Sequence, residues 1–283
     1  MKKRSWTISE FVLKIIGYIT MTLDHIGLFF VEVESLSKLG IIFRSIGRIA
    51  FPLFVFMIIE GVRHTKNFKK YLFRLCSIDF IIIAFELLVL LILGIDMDMA
   101  CPFTDLILIA LITKLLDNKN KTSFFAIIPI AYIVLCTVVN VYEMSTYNYV
   151  KFLPTMIRTD EDILGLVLAI GFYYTSDIIK IAMRANENTK NLDVASYDQK
   201  MKNFMSAAII IIVGICAYVF YKFIVVSEFN QLLIFDCFAA LPILFYSGER
   251  GYNKKWFQTF SYLYFPLHLV IIYVVLFLTG VIV

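Results

Sequence analysis

Long apolar runs separated by short polar ones make up most of the chain. Nine stretches approach the length of about 20 residues that a helix needs to cross a bilayer. They lie at roughly 9–32, 41–62, 71–94, 101–116, 123–141, 161–182, 203–226, 230–247 and 256–281. The fourth is short, as a tilted or half helix would be. The stretch 145–158, STYNYVKFLPTMIR, is amphipathic and suits the membrane interface or a re-entrant turn. Runs of this kind exclude a soluble core. In hydrocarbon each segment must satisfy its own backbone hydrogen bonds, so they predict an all-α, polytopic transmembrane bundle of about nine spans, with a range of eight to ten. The bundle reads as one domain over 1–283. The stretch 184–202, RANENTKNLDVASYDQKMK, is polar without apolar periodicity and predicts a flexible cytoplasmic loop.

Composition agrees. The 283 residues are 60% hydrophobic and 17% charged, where a soluble domain is nearer half apolar and a quarter charged. The net charge of +4 does not point to nucleic acid, because basic residues of membrane proteins collect in cytoplasmic loops. With the N-terminus in the cytoplasm, 19 Lys and Arg fall on the inner side and four on the outer side. The outer loops are acidic instead, which orients nine spans with the N-terminus in and the C-terminus out. The apolar run after Met1-Lys2-Lys3-Arg4 is too long for a signal peptide and lacks a small-residue cleavage site, so it predicts an uncleaved first span. The expected location is a cell membrane, and the Ile-, Lys- and Asn-rich usage fits a bacterial inner or cytoplasmic membrane. Five dispersed cysteines without a C-x-x-C pair read as small core residues rather than a disulfide or zinc framework.

Some polar residues interrupt the apolar runs, and such residues are costly in hydrocarbon unless used. Asp24 and His25 stand side by side in MTLDHIGLFF. They are about fifteen residues into the first span, hence about 20–24 Å from its inner end, in the outer half of the bilayer. The second span carries Arg44 and Arg48 one turn apart, in FRSIGRIAFPLF. Pro52 deprives the Arg48 carbonyl of its helical donor, which predicts a kink there. The two arginines can pair with Asp24 or hold a phosphate, carbonyl oxygen or carboxylate. At the inner end, EGVRHTKNFKKYLFR places Glu60, Arg63 and His64 on neighbouring helix positions before a basic loop. A basic mouth suits an anionic, nucleotide-like donor. His268 follows Pro266 in the last span, where a proline-broken helix would line a cavity. The three histidines, His25, His64 and His268, show no metal-ligand spacing, so no metal is expected.

At these residues the sequence resembles the TraX family of membrane acetyltransferases. LKIIGYITMTLDHIGLFF resembles the family's opening helix with its Met-x-x-Asp-His-Ile-Gly signature. FRSIGRIAFPLFVFMIIEGVRHTKNFKKYLFRL resembles its second block, and YSGERGYNKKWFQTFSYLYFPLHL its closing block with Pro-Leu-His-Leu. Residues 75–250 match poorly, and Glu86 in SIDFIIIAFELL stands nearest to an acidic position of the family. TraX proteins acetylate the amino terminus of conjugative pilin, and the family resembles a wider set of multi-span acyltransferases. These include heparan-alpha-glucosaminide acetyltransferase and polysaccharide O-acyltransferases. The resemblance therefore implies acetyl-CoA as acyl donor, entering from the cytoplasm. It implies His25 as general base or transient acyl carrier, with Asp24 orienting or balancing an arginine. His268 is a second group for proton transfer. Arg44, Arg48, Arg63, His64 and Glu60 would bind the donor.

Two other readings stay open at this point. A small-solute or proton-coupled transporter would use the same buried groups, although no internal repeat is evident. A non-catalytic homologue would support assembly of a surface structure. The expected partners are acyl-CoA, membrane lipid and a protein, peptide or glycan acceptor, with no nucleic acid. The residues do not distinguish a pilin amine from a sugar hydroxyl.

Overall fold

The computed structural model describes residues 7–94, 101–117, 121–185, 194–225 and 230–281. It is an all-helical, multi-pass membrane bundle. The elements are α1 (Glu10–Val31), α2 (Ser37–Gly47), α3 (Ala50–His64), α4 (Phe68–Leu93), α5 (Pro102–Asp117), α6 (Ile127–Thr146), α7 (Asp162–Ala185), α8 (Val194–Phe220), α9 (Ala240–Leu244) and α10 (Lys255–Leu278). Among the described residues, seven helical segments are long and apolar enough to span a membrane. One of them is the α2–α3 unit, Ser37–His64. The nine apolar stretches all become helix, but two are shorter than a span. These are α5, of 16 residues, and Gln231–Leu244, where a 3-10 helix (Asn230–Ala239) leads into α9.

Three expectations change. The polar stretch 184–202 is not all loop, because α7 runs to Ala185 and α8 already starts at Val194. Residues 186–193 lie outside the described residues, as do Lys2, Lys3 and Arg4. Cys101 and Cys136 are buried, but Cys76 and Cys216 are exposed on the outside of the bundle, where lipid tolerates a small apolar thiol as a core does. Pro266 does not break its helix, for α10 continues through it from Lys255 to Leu278. Within hydrocarbon a helix is kept intact by the remaining bonds on either side of the lost one.

α3 is the centre of the molecule. Phe51, Leu53, Val55, Phe56, Ile59 and Val62 are all buried, and the stretch is apolar all round, as a helix enclosed by other helices must be. α10 is peripheral. It buries Phe265, His268, Ile272 and Leu276, a stripe at helical spacing, while Leu267, Ile271, Val274 and Leu278 are exposed and face lipid.

Two local features set the heights of the functional groups. First, the chain entering α1 lies beside the turn before α10. Ile8 N–H donates to the Phe245 carbonyl at 2.7 Å, and Ser247 N–H to the Ile8 carbonyl at 2.8 Å. The orphan N–H groups of Glu10 and Phe11 donate to the carbonyls of Glu249 and Arg250, at 2.8 and 3.1 Å. These bonds satisfy the start of α1 and begin α1 and α10 at the same level. Second, α1 and α2 approach closely. A Cβ on Gly27 would lie 2.8 Å from the Arg44 nitrogen and the Gly40 carbonyl oxygen, and one on Gly47 would overlap Asp24. Small residues permit this backbone contact, which brings α2 against Asp24.

Candidate functional site

Adjacent helix positions point about 100° apart, so Asp24 and His25 face different neighbours. Asp24 faces α2. Its Oδ2 pairs with Arg44 Nη1, and its Oδ1 lies 3.9 Å from Arg48 Nη2. α2 ends at Gly47, and Arg48 and Ile49 form a turn before α3. The missing N–H of Pro52 falls four residues after Arg48, and Pro52 sits in the first turn of α3, where it is tolerated. The expected kink is thus a break in the helix at Arg48 and Ile49.

Arg48 Nη1 also donates to Glu161 Oε1 at 3.1 Å. Glu161 stands just before α7, held there by a buried acid from another helix. Asp105 on α5 is 1% exposed, and its Oδ2 accepts the backbone N–H groups of Asp160 (2.7 Å) and Glu161 (3.4 Å). The orphan donors at the head of α7 suit such a carboxylate. Asp236, from the 3-10 helix, is 6% exposed and near enough to Arg48, Glu161 and Asp24 to interact electrostatically. A chain Arg44–Asp24–Arg48–Glu161 thus joins α1, α2 and the head of α7. Two of its buried atoms, Asp24 Oδ1 and Arg48 Nε, have no hydrogen-bond partner among the described residues.

His25 faces α10 instead. His268 Nε2 lies 3.2 Å from His25 Nδ1, with ring centroids 4.8 Å apart. The two are 243 positions apart in sequence and meet because α1 and α10 start level and reach similar depth after 15 and 13 residues. At about 1.5 Å per residue these are climbs of about 22 and 20 Å. Hydrogen-bond accounting assigns the tautomers. His268 Nδ1 lies 3.0 Å from the Tyr264 carbonyl and His25 Nδ1 lies 2.9 Å from the Met21 carbonyl. A carbonyl only accepts, so each Nδ1 carries hydrogen. The single His25 Nδ1 hydrogen is then bifurcated between the Met21 carbonyl and His268 Nε2, which accepts the longer branch at 3.2 Å, and the lone pair of His25 Nε2 is left open. Tyr264 stacks on His268 at 5.3 Å and 3°, and its hydroxyl meets Thr22 Oγ1 at 2.6 Å. Thr22 directs its own proton to the Tyr18 carbonyl at 2.8 Å, so Tyr264 is the donor.

The remaining candidates sit at the other end of α3. Arg63 Nη2 donates to the Tyr173 carbonyl at 2.6 Å, and Nη1 to Glu60 Oε1 at 3.4 Å. His64 Nδ1 lies 2.8 Å from the Glu60 carbonyl, and its side chain is 64% exposed. Arg48 and Arg63 are fifteen residues apart, about 22 Å of helix. The structure therefore gathers Asp24, His25, His268, Arg44 and Arg48 near one depth, and leaves Glu60, Arg63 and His64 at the opposite end. Glu86 is buried on α4.

Asp105, Glu161 and Asp236 were missed as candidates. Asp105 and Asp236 are lone acids inside apolar runs, FTDLILIA and LLIFDCFAA, the same signal that singles out Asp24. Glu161 carries no such signal, because it belongs to an acidic loop and acquires its role only through the fold.

No solved structure matches the chain. The chain is similar to the probable fimbrial assembly protein FimC, serogroup H1, of Dichelobacter nodosus, with 40% identity over 72 residues. Those residues are 25% of this chain and 29% of that protein, so the likeness spans under a third of the relative's length. The family model described as TraX protein matches residues 9–177. The match runs from the start of α1 into α7 and includes Asp24, His25, Arg44, Arg48, Asp105 and Glu161, but not Asp236 or His268. It covers more than half of the sequence, and on it the chain belongs to the TraX family.

Proposed function

We propose that the chain is a membrane acyltransferase that moves an acetyl group from cytosolic acetyl-CoA to an acceptor on the far side of the membrane. The acceptor class that fits the family and the fimbrial relative is the amino terminus of a pilin or another surface-structure peptide. The contact of His25 with His268 carries this reading. Two neutral imidazoles share one hydrogen bond, and the lone pair of His25 Nε2 points away from it. That nitrogen takes a proton from the acceptor amine as the amine attacks the thioester carbonyl, and CoA leaves as thiolate. The positive charge then on His25 is shared with His268, which accepts through the Nδ1 hydrogen. Asp24 does not touch His268; it balances the arginines on the neighbouring face.

A second reading has an observation of its own. The buried carboxylates Asp105 and Asp236 and the half-buried Asp24 and Glu161 suit a proton-coupled transporter. One experiment separates the two. Purified protein is incubated with radiolabelled acetyl-CoA and membranes carrying the acceptor. Wild type labels the acceptor, and His25→Ala lowers the rate by about 10²–10⁴-fold, the range of general base catalysis. Labelling unaltered by His25→Ala refutes the assignment, and absence of CoA binding by wild type refutes the enzyme reading.

A further inference from the structure

α4 and α10 pack against each other, and both begin at the lysine- and arginine-rich end of the bundle. Arg74, in the second turn of α4, is exposed. Its guanidinium lies 5.6 Å from the ring centre of Tyr262, two turns into α10. Lys70 comes one turn before Arg74, and Lys255 comes seven residues before Tyr262, so each shares its neighbour's helix face. Both lysines are exposed. Three cations therefore flank one groove between the helices. Arg74 is the deepest, with Lys70 about 6 Å and Lys255 about 10 Å nearer the water. Among the described residues none of the three is in an ion pair. Two acids of neighbouring segments are engaged elsewhere. Glu10 pairs with Lys14 at 2.7 Å, and Asp79 accepts from Thr104 on α5 at 3.2 Å.

We infer that this groove binds the headgroup of an anionic phospholipid, with Arg74 and Lys70 on the phosphate and Lys255 at the mouth. The depth of the cations supports this. Trp256, next to Lys255, is 59% exposed and donates its Nε1–H to the Tyr252 hydroxyl at 2.7 Å. An exposed Trp of this kind marks the boundary between hydrocarbon and water. The headgroup layer is about 5–8 Å deep on each side of a bilayer, so Arg74 stands at its hydrocarbon edge. Farther in, Ile81 on α4 and Val270 on α10 are exposed and offer an apolar surface for acyl chains. Cations at headgroup depth followed by an apolar wall match the profile of a phospholipid. The sign of the charge selects among lipids, because Lys70 and Lys255 repel the ammonium of a zwitterionic headgroup. The Tyr262 ring holds the guanidinium in place and leaves its edge for phosphate oxygens, which Arg binds as a fork. Basic loops alone suffice to orient a chain, but they do not require an arginine stacked on a ring two turns inside the helices. Grooves of this kind between spans suit lipid headgroups. The inference does not rest on the acyltransferase reading.

The test is lipid binding to the full-length protein, read by native mass spectrometry with phosphatidylglycerol and phosphatidylcholine of the same acyl chains. Wild type is expected to prefer phosphatidylglycerol by about fivefold for each cation the groove contributes. Arg74→Gln should weaken phosphatidylglycerol about fivefold, and Lys70→Gln/Lys255→Gln about twentyfold. Tyr262→Leu keeps every charge but removes the ring, and should weaken it about threefold. Lys180→Gln removes an exposed cation of α7 that pairs with Asp177 at 3.5 Å, and should bind as wild type. A thermal melt in phosphatidylcholine nanodiscs accompanies each variant, and the double lysine variant decides if Arg74→Gln does not fold. Four outcomes overturn the inference. They are a wild type without preference for phosphatidylglycerol, unchanged affinity in both Arg74→Gln and the double variant, a loss in Lys180→Gln as large as in Arg74→Gln, which would mean diffuse attraction, and loss of CoA binding with phosphatidylglycerol binding intact, which would mean a soluble anion. None of them depends on whether transfer activity is found.

Discussion

Replacing Asp24 with alanine tests the charge chain most directly. The side chains of Asp24 and Arg44 are 18% and 8% exposed, so the pair is mostly removed from water. Breaking such a pair by deleting one partner costs about 3–5 kcal/mol, because the remaining charge stays buried. Arg48 keeps Glu161 at 3.1 Å, so the loss falls mainly on Arg44. Asp24→Asn retains an oxygen to accept from Arg44 and should cost less, about 1–3 kcal/mol. The double variant Asp24→Leu/Arg44→Met removes both charges and should recover most of the deficit, so the two single effects are strongly non-additive. The assay is the melting temperature of detergent-solubilised protein, read as the fraction that remains monodisperse after heating. Asp24→Ala should lower it by on the order of 10 °C, at a few degrees per kcal/mol. A Tm within about 2 °C of wild type, or a double variant as unstable as the sum of the singles, would show that the pair is not a buried constraint.

Two further outcomes follow from close packing and a second buried pair. Gly47→Ala places a methyl group against the Cα and Cβ of Asp24, which α1 cannot move away; it should cost about 1–3 kcal/mol by the same melting assay. Gly94→Ala, with open space around the added carbon, serves as a control for packing, leaving only the strain of its positive φ. Arg158 is 1% exposed and donates to both carboxylate oxygens of Glu143, at 2.5 and 2.9 Å, as well as to the Val150 and Leu153 carbonyls. Arg158→Met should cost about 3–5 kcal/mol yet leave CoA binding unchanged well below the melting temperature, since it lies outside both proposed sites; altered binding at that temperature would show that the loop before α7 reaches the site.

Segment length and hydropathy were enough to fix the class of the protein and most of its segments. Hydrocarbon leaves a backbone no partner but its own helix, so length and hydropathy alone place the apolar helices. The same cost of polar groups in hydrocarbon marks Asp24, His25, Arg44, Arg48 and His268 one by one. Which of them meet is set by how the helices pack. The contact of His25 with His268 depends on α1 and α10 starting level, through the bonds of Ile8, Glu10 and Phe11 to the 245–250 turn. That the arginines face Asp24 depends on glycines letting α2 lie against α1. Glu161 enters the chain because Asp105, from a third helix, holds the head of α7. Local pattern reports the cost of a buried polar group; its partner is set by the relative height and rotation of helices far apart in the chain, and no run of neighbouring residues encodes that.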